Sequence, residues 1–389
     1  MTSLPLAGLR IVSFEQYGAA PYATMFLADF GAEVIKVEGA DGDFARQTGP
    51  QTLGERDSLY FQCFNLNKRS LVLDLRNEED RALLHSLVEE SHAVVNNLRG
   101  SLPAKLGLDY AALKKVNPAI VCGHISAYGR EGSRADWPGY DFLMQAEAGI
   151  MSLTGEPGAP PARVGLSMID YMTGMMMAFG LVSAIRKAER EGQGCDVDVS
   201  LFDTALHQLA YQGTWYLNEG LVTERVARSA HPSSVPVQLY PTADGWIYIC
   251  CMNQKFWEIL VKIIERPDLG NDPRFVNMPD RTAHRDTLTG ILDEVFRTKT
   301  TAAWLDLLKG QIPAAPVEGL ADAIDNPFVA ESEMVRTISH PSGRSMRVFA
   351  NPLRIDGKRL EQAAAPALDR DGPVLRSHYA ATTKEGIAQ

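Results

Sequence analysis

One carboxylate stands out among the residues that could do chemistry. Asp170 is the only charged residue in the stretch VGLSMIDYMTGMMMAFGLVSAI, which runs from Val164 to Ile185 and has the composition of an apolar helix. A buried charge is costly unless it is paired or used. Because a carboxylate is ionised at neutral pH, Asp170 can act as a nucleophile without a separate base. It can equally cap the helix that follows, since Asp is a favoured N-cap residue.

Other reactive residue types are not grouped in the sequence. The five cysteines form no C-x-x-C pair, and their odd number makes a poor disulfide framework. We therefore expect buried thiols in a reducing cytosol. No cluster of His, Cys and carboxylate residues has metal-site spacing, so no metal is expected. We expect His124, His207 and His231 to be structural rather than catalytic.

The composition is that of an ordinary globular protein. The 389 residues are 45% hydrophobic and 22% charged, which is enough for one large core or two moderate ones. The net charge of −10 argues against a broad nucleic-acid surface but allows a small basic pocket for an anionic ligand. There is no signal-peptide pattern, and no uncharged apolar run reaches the roughly 20 residues that span a bilayer. We expect a cytoplasmic protein with neither nucleic-acid nor membrane partners.

Alternating strands and helices precede Asp170. The apolar patterns predict strands at Arg10 to Phe14, Glu33 to Val37, Ser70 to Leu75, Ala93 to Val95 and Ile120 to Ile125, with helices between them. This alternation favours an α/β fold with a parallel sheet, whose ligands bind at the carboxyl ends of the strands. The turn after the first strand, EQYGAAP, lacks the G-x-G-x-x-G motif that a dinucleotide requires. A nicotinamide-dependent dehydrogenase is therefore disfavoured.

The pattern changes after the helix that contains Asp170. A polar hinge is predicted at 187–194, a helix follows through Leu217, and 225–236 is rich in small and polar residues. We predict a large domain at 1–220, a small α+β domain at 221–325, and a C-terminal segment, 326–389, that returns to the large domain. A hairpin is expected around Pro341 to Arg344.

Six segments in one order resemble a known family. They are LADFGAEVIKVEGADGDFAR (Leu27 to Arg46), NLNKRSLVLDL (Asn65 to Leu75), NLRGSLPAKLGLDY (Asn97 to Tyr110), PGYD (Pro138 to Asp141), the stretch around Asp170, and IPAAPV (Ile312 to Val317). Across residues 5 to 360, approximately, the chain resembles the family III CoA-transferases, which include formyl-CoA transferase and carnitine CoA-transferase. The resemblance implies a Rossmann-like large domain, a smaller domain, and two chains threaded through each other as an interlocked homodimer.

The resemblance also implies roles for individual residues. Asp170 matches the family's nucleophile, which attacks an acyl-CoA thioester to form an aspartyl mixed anhydride and then an aspartyl-CoA thioester. An anhydride keeps the transfer potential of the thioester, which a serine ester would lose. The family's CoA contacts fall on eight positions: Gln16, Tyr17, Ala19, Leu73, Arg76, Asn97, Lys105 and Tyr140. By charge, Arg76 and Lys105 are the expected phosphate partners.

Two departures from the family pattern bear on the substrate. Formyl-CoA transferases have a glutamine where this chain has Gly18, and a glycine-rich loop where this chain has HPSSVP (His231 to Pro236). Both departures count against formyl or oxalate specificity. A second carboxylate could be bound by one of four basic residues, Arg163, Arg225, Arg228 and His231. We therefore expect a dicarboxylate acceptor, with succinyl-CoA as the donor.

Three other functions fit parts of the sequence. An α-methylacyl-CoA racemase of the same fold would pair the aspartate with a histidine for two-base proton exchange. Tyr140 stands at that histidine's position, and a tyrosine with a pKa of about 10 is a poor partner at neutral pH. A CoA- or nucleotide-binding protein without turnover would leave Asp170 without a role. A Rossmann dehydrogenase would need the missing glycine motif, so the transferase is favoured.

Overall fold

The computed structural model describes residues 4–386 and divides the chain into two compact units. The larger unit consists of Met1–Ala148, Gly165–Ala210 and Phe328–Gln389, and the smaller unit consists of Gly149–Val164 and Tyr211–Pro327. Each unit is therefore assembled from segments that are separate in the sequence.

The larger unit is built on a six-stranded sheet in which every strand is parallel to its neighbours. The strands are β1 (Arg10–Phe14), β2 (Glu33–Glu38), β3 (Arg69–Val72), β4 (Ala93–Asn96), β5 (Val121–Ser126) and β6 (Cys195–Ser200). Their apolar residues, such as Val12, Ile35 and Val94, are fully buried, as expected for a parallel sheet covered on both faces. The predicted α/β fold with a parallel sheet is confirmed.

The order of the strands defines where a ligand would bind. It is β3-β2-β1-β4-β5-β6, so the chain builds outward from β1 in one direction and then, from β4, in the other. In open parallel sheets, ligands bind outside the carboxyl ends of the strands at this switch point. Gln16 lies just after β1 and Asn97 directly follows β4, so two of the residues assigned to CoA by resemblance flank the switch point.

Two helices meet beside this point. α1 (Ala19–Asp29) begins five residues after β1. The long helix α3 (Met168–Glu191) packs on α1, β5 and β6. The short helix α2 (Asp141–Glu147) precedes α3 in the chain and contacts it. Gly174 allows α1 and α3 to approach closely, because a Cβ at this position would lie 2.5 Å from the carbonyl oxygen of Ala19. The close contact brings the first turn of α3, which holds Asp170, to the start of α1.

By length and composition, α3 could also cross a membrane, and it is the single helix between residues 4 and 386 of which this is true. Within its apolar window, 39% of the residues are buried in the chain. One such helix is weak support for a membrane span, because the core helix of a soluble protein passes the same test.

The other elements of the larger unit are short. Several begin at a side-chain cap, as at Asn77, whose Oδ1 accepts from the backbone N–H groups of Glu79 and Asp80 at 2.7 and 3.3 Å. The helices are Phe44–Gln47 (a 3₁₀ turn), Leu59–Asn65, Glu78–Glu89, Leu102–Leu106, Tyr110–Leu113, Leu201–His207 and Gly372–Gly386, and the small strand pairs are Thr52–Gly54 with Asp57–Ser58 and Arg354–Ile355 with Lys358–Arg359.

The smaller unit has a sheet and core of its own. β7 (Val237–Pro241), β8 (Trp246–Cys250) and β9 (Ala314–Pro316) form an antiparallel sheet in the order β9-β8-β7. Its core contains Tyr240 from the sheet and the side chains of Trp257, Phe296 and Trp304. A 3₁₀ turn lies at Ala227–Ser229. Two more helices, Ala210–Glu219 and Pro327–Glu331, begin at the residue next to a division between the two units. The other helices are Ile150–Leu153, Gln254–Ile263, Pro267–Asn271, Met278–Ala283, Arg285–Phe296, Thr301–Leu308 and Leu320–Ile324.

The C-terminal segment returns to the parallel sheet. β10 (Val335–Ser339) and β11 (Ser345–Phe349) form the hairpin expected around Pro341 to Arg344. Further along, the carboxylates of Asp369 and Asp371 accept from the backbone N–H groups of Val72 and Ser70 at 2.8 and 3.0 Å. These bonds satisfy the outer edge of β3, which otherwise has no strand beside it.

The two units do not coincide with the predicted bounds at 220 and 326. Residues 149–164 and 211–220, which we assigned to the large domain, lie in the smaller unit. One cause is Arg225, whose Nη1 donates to the carbonyl oxygens of Glu156, Ala159 and Pro160 at 3.3, 2.9 and 3.2 Å. These contacts fix the loop before α3 to the segment around Arg225.

Two local expectations were wrong. The hinge predicted at 187–194 is helical as far as Glu191, because Arg186, Lys187 and their acidic neighbours form solvent-exposed pairs along α3 rather than breaking it. The helix predicted through Leu217 is interrupted between His207 and Ala210, where Ala210 has a φ of 45°.

Candidate active site

Asp170 lies in the first turn of α3, and it is not the helix cap. The helix begins at Met168, two residues before Asp170. The cap comes from another element: Asp141 Oδ2 accepts from the backbone N–H groups of Ile169 at 2.6 Å and of Asp170 at 3.1 Å. The alternative in which Asp170 itself caps the helix is therefore wrong, because a carboxylate 29 residues earlier in the chain already satisfies these amides.

Asp141 is held in place by its own contacts. Its carboxyl group is 3% exposed, and its Oδ1 accepts from Gln145 Nε2 at 2.6 Å. Gln145 Nε2 also donates to the carbonyl oxygen of Leu166 at 3.2 Å, just before α3 begins. Both oxygens of Asp141 are thus occupied by donors, as expected for an ionised carboxylate below a helix N-terminus.

The Asp170 carboxylate has the opposite environment. It is partly buried, and no residue within the described part of the chain donates a hydrogen bond to either of its oxygens. Burial, and secondly the nearby charge of Asp141, raise the pKa of Asp170 to about 7. The less stabilised of the two carboxylates is therefore the one with free lone pairs, which is what a nucleophile needs.

The Asp170 carboxylate faces the turn after β1. A Cβ at Gly18 would lie 2.8 Å from Asp170 Oδ2, so the absence of a side chain at Gly18 leaves the carboxylate accessible from this side. Tyr17, one residue earlier, has a φ of 62°, and its backbone N–H donates to Asp43 Oδ1 at 3.3 Å. Ala19 is buried at the start of α1. The structure thus places Tyr17, Gly18 and Ala19 in one turn beside Asp170.

A buried ionic network fixes this turn from below. Glu15 accepts from Lys68 Nζ at 2.7 Å and from Thr24 Oγ1 at 2.8 Å, and Lys36 Nζ donates to the Glu15 carbonyl oxygen and to Asp43 Oδ2, both at 2.8 Å. Burial raises the pKa of Glu15, but the lysines outweigh it and hold the pKa below its usual value. Burial lowers the pKa of Lys68 to about 8. The network is compact, with two cations and two carboxylates, and it leaves the turn little freedom.

Gln16 and Asn97 meet at the switch point of the sheet. Asn97 Oδ1 accepts from the backbone N–H of Gln16 at 3.0 Å, and Asn97 Nδ2 donates to the Gln16 carbonyl oxygen at 2.7 Å. Beside them a cleft of about 130 Å³ opens along the carboxyl ends of the strands, and Leu73 is part of its wall. Gln16 also lines it, together with Phe14, Glu15, Val37, Glu38, Gly39, Gly42, Asp43, Leu75 and Leu98.

Aromatic rings surround the turn and the nucleophile candidate. Tyr17 stacks on Phe44 with ring centroids 6.2 Å apart, and Phe44 is 68% exposed. Tyr171, next to Asp170, lies 4.9 Å from the ring of Tyr22. Burial raises the pKa of both Tyr60 and Tyr171, and the charge of Asp170 adds to the effect. A stacked aromatic pair with one exposed ring can bind the apolar parts of a ligand.

Three predicted CoA contacts are exposed and are not fixed by burial. Arg76 is bonded to its neighbour Asp74, with Nε and Nη2 donating to the two carboxylate oxygens at 2.9 Å each. Lys105 is exposed in the last turn of Leu102–Leu106. Tyr140 is 64% exposed and directly precedes Asp141. Arg76 would have to exchange Asp74 for a phosphate, so its role stays a prediction, as does that of Lys105 and Tyr140.

The four candidates for a second carboxylate differ sharply in their contacts. Arg228 is paired with Asp293, which leaves it poorly placed for a ligand. His231 is stacked on Tyr211, and its pKa is lowered by burial and by Arg285. Arg163 Nη1 donates to the Val164 carbonyl oxygen at 3.2 Å. Arg225 is the best oriented of the four, because three carbonyl oxygens hold one side of its guanidinium, and it lines a 530 Å³ pocket.

Three important residues were missed in the sequence. Asp141 stands inside the PGYD segment, where we considered only Tyr140, and Glu15 and Asp43 lie within quoted segments but were not singled out. A charged residue beside apolar residues was the signal that could have identified them. Glu15 directly follows an apolar strand, in the same way that Asp170 interrupts an apolar helix. Asp141 Oδ2 bonds amides 28 and 29 residues later in the chain, and Asp43 Oδ1 bonds the amide of Tyr17, 26 residues earlier, so these contacts depend on tertiary structure.

The remaining polar clusters have structural explanations. His124 is buried, with Nδ1 at 2.9 Å from Asn96 and Nε2 at 2.9 Å from Asp196 Oδ1. Within residues 4–386, no group of three or more His, Cys, Asp or Glu side chains could hold a metal ion.

Comparisons with known proteins show the family to which the chain is similar. Residues 6–372 match CoA-transferase family III. The chain is 35% identical over 382 residues to the acetyl-CoA:oxalate CoA-transferase of Acetobacter aceti, with 97% of this chain and 96% of that protein covered. It is 33% identical over 383 residues to the succinyl-CoA:mesaconate CoA-transferase of Haloarcula hispanica, covering 96% and 94%. A solved CAIB/BAIF family protein from Brucella suis has a TM-score of 0.83 at 34% identity, over 97% of this chain and all of that one.

Proposed function

This chain belongs to CoA-transferase family III, and we propose that it moves CoA from an acyl-CoA thioester to a dicarboxylic acid with Asp170 as its nucleophile. The observation that carries the proposal is the Asp170 carboxylate: partly buried, without a hydrogen-bond donor among the described residues, and directed at the turn beside the CoA cleft. A free carboxylate in this position can attack a carbonyl carbon without a separate base.

The proposed reaction conserves the energy of the thioester. An Asp170 oxygen attacks the thioester carbonyl carbon, the carbon–sulfur bond breaks, and CoA leaves as a thiolate, giving a mixed anhydride. The thiolate then attacks the Asp170 carbonyl carbon and releases the donor acid as a carboxylate. The acceptor acid repeats the two steps in reverse and leaves as its CoA thioester, which restores the Asp170 carboxylate. Each step exchanges one carboxylate or thiolate for another, so no proton has to be moved.

We propose that CoA lies along the cleft at the switch point. Gln16, Tyr17, Ala19, Leu73 and Asn97 are the contacts whose placement supports this, because they border the cleft or the turn at its end. Arg76 and Lys105 are the proposed phosphate partners, as exposed cations near this edge of the larger unit. The cleft itself is lined partly by the carboxylates of Asp43, which is paired with Lys36, and Glu38, which is paired with Arg46.

Two observations support a dicarboxylate acceptor, with succinyl-CoA as the donor. Relatives at 33 to 35% identity carry the names of oxalate and mesaconate, both dicarboxylic acids. Arg225 is a cation already oriented by three carbonyl oxygens, so little freedom is lost when it binds an anion. The expectation against oxalate stays a prediction, resting on Gly18 and the HPSSVP loop.

We also propose the interlocked homodimer that the resemblance implies, and a cytoplasmic location. Large apolar side chains on α2, α3 and the helix after β6 are exposed in the single chain, and a second copy would cover such a surface. They are Phe142, Leu143, Met175, Met176, Phe179 and Leu206. Sedimentation of the purified protein at micromolar concentration should give the mass of two chains.

The test is an acceptor screen with covalent trapping. The purified protein is incubated with succinyl-CoA or acetyl-CoA and a panel of mono- and dicarboxylic acids, and new thioesters are detected by mass spectrometry. Hydroxylamine is added to trap acylated Asp170 as a hydroxamate on its peptide. Asp170→Ala should abolish both signals; unchanged transfer in this variant would show that Asp170 is not the nucleophile. Deuterium exchange into an acyl-CoA without any acceptor acid would instead support the racemase.

A further inference from the structure

The structure places two carboxylates at the start of α3 in contrasting roles. Asp141 Oδ2 bonds the N–H groups of Ile169 and Asp170, and its other oxygen bonds Gln145. Asp170 has no donor within the described residues, although it lies in the first turn of the same helix. The amides that could have stabilised a charge on Asp170 are used by Asp141 instead.

We propose that Asp141 is a positioning residue that also drives acylation of Asp170 by repelling its negative charge. This proposal rests on the function proposed above. When an Asp170 oxygen displaces CoA from the thioester, the negative charge leaves Asp170 and departs on the thiolate. The anhydride and the aspartyl-CoA thioester are both neutral at Asp170. A fixed negative charge beside the carboxylate therefore raises the energy of the free enzyme relative to both covalent intermediates.

The surroundings of Asp170 favour this effect. Asp141 is 3% exposed and donors bond both of its oxygens, whereas Asp170 has no donor within the described residues to stabilise its charge. The other titratable groups facing Asp170 are Tyr60, from the helix Leu59–Asn65, and Tyr171, with Cys63 beside Tyr60. Burial raises the pKa of all three, so they stay neutral across the working pH range. No cation faces Asp170 among the groups that shift its pKa.

The same bonds give Asp141 its positioning role. They fix the first turn of α3, and Gln145 ties Asp141 to the carbonyl oxygen of Leu166, just before the helix. Without this cap the first turn of the helix would fray, since its N–H groups would have no partner. The cap and the charge can be separated by substitution, because an asparagine oxygen can accept from the same amides without carrying a charge.

The experiment measures single-turnover acylation of Asp170 from pH 5.5 to 8.5, by hydroxylamine trapping, in the full-length wild type, Asp141→Asn and Asp141→Ala. In Asp141→Asn we expect the acidic limb of the rate profile to move down by about one pH unit and the rate at pH 8 to fall about tenfold. The loss should be smaller at pH 5.5. Asp141→Ala should lose rate at every pH and also melt at a lower temperature.

The outcomes separate this inference from the proposed function. A wild type without any trapped adduct would contradict the function itself, whatever Asp141 does. A wild-type adduct together with an unmoved acidic limb and an unchanged acylation rate in Asp141→Asn would overturn the role of the Asp141 charge. A purely structural role would lower melting temperature and active fraction in both variants and leave the pH profile in place.

Discussion

Asn97 and Gln16 hold the switch point of the sheet together through a pair of hydrogen bonds. The Asn97 side chain both accepts from the backbone N–H of Gln16 at 3.0 Å and donates to its carbonyl oxygen at 2.7 Å. The ends of β1 and β4 are thereby fixed to each other at the edge where the cleft opens. A single amide side chain thus bonds both backbone groups of Gln16, the second residue of the loop that carries Gly18.

Replacing Asn97 should weaken the binding of acyl-CoA and have a smaller effect on the stability of the fold. Asn97→Ala removes both bonds, each worth about 0.5–1.5 kcal/mol, so we expect KM for the acyl-CoA to rise roughly tenfold. Asn97→Asp keeps the acceptor but loses the donor, so its KM should lie between those of the wild type and Asn97→Ala. Steady-state kinetics with saturating acceptor acid measures the change. Asn253→Ala, which removes a helix cap in the smaller unit, is the control that should lower the melting temperature without raising this KM; equal KM values in both variants would contradict the prediction.

A side chain at position 18 should obstruct the nucleophile. In Gly18→Ala the added Cβ would lie 2.8 Å from Asp170 Oδ2, so the carboxylate must rotate away from the turn. We expect kcat to fall at least about tenfold, since small misplacements of a reacting group are costly. Hydroxylamine trapping should show less acylated Asp170 at equal time. Gly54→Ala is the matched control, because nothing lies within 4 Å of a Cβ there, and a Gly18→Ala enzyme as fast as this control would refute the expectation.

The ionisation of Asp170 should cost folding stability. Its pKa rises from 3.8 in the unfolded chain to about 7 in the folded protein. Between these values the folded state binds a proton that the unfolded state has lost, so stability falls as pH rises through this window. Asp170→Asn should therefore be more stable than wild type by about 1–3 kcal/mol at pH 8, and the difference should vanish near pH 4.

Urea unfolding of wild type and Asp170→Asn at pH 4.5, 6 and 8 measures this difference. Glu189→Gln, at the exposed end of the same helix, is the control and should show no such trend. A stability difference between Asp170→Asn and wild type that is the same at all three pH values would contradict the raised pKa.

Arg225 should select for a second carboxylate. Arg225→Lys keeps the charge but cannot retain the contacts to three carbonyl oxygens, so KM for succinate should rise about tenfold while KM for a monocarboxylate such as propionate changes little. Competition between the two acids in one reaction gives the ratio directly. Arg266→Lys, in an exposed pair with Asp268, is the control; if both acids were affected equally, Arg225 would have a structural role alone.

The sequence predicted those parts of the fold that depend on local pattern. The strands β1, β2, β4 and β5 are short apolar runs whose positions can be read within a residue or two, and alternation with helices indicates their parallel order. Asp170 was identifiable because it is a lone charge in an apolar helix. The turn after β1 was identified through family resemblance rather than through spacing.

The electrostatic arrangement of the site could not be predicted in the same way. Asp141 and Asp170 are 29 residues apart, and Arg228 and Asp293 are 65 apart, so which charges are free depends on tertiary contacts. Arg76 is an exception. Its partner Asp74 is two residues away, so the ion pair could be predicted from the sequence. The sequence left Asp170 as an alternative cap of α3, because the true cap, Asp141, lies on the preceding helix α2 and its contact depends on tertiary structure.

Gly174 has a consequence for how this enzyme can change over time. Since the backbones of α1 and α3 touch at Gly174, main-chain contact limits how closely the first turn of α3, which holds Asp170, approaches the turn after β1. Side chains at positions 16 and 17 of that turn can then vary without altering this approach. A population of variants could explore new acyl groups through those few positions, while any larger residue at 174 would be removed by selection whatever the substrate.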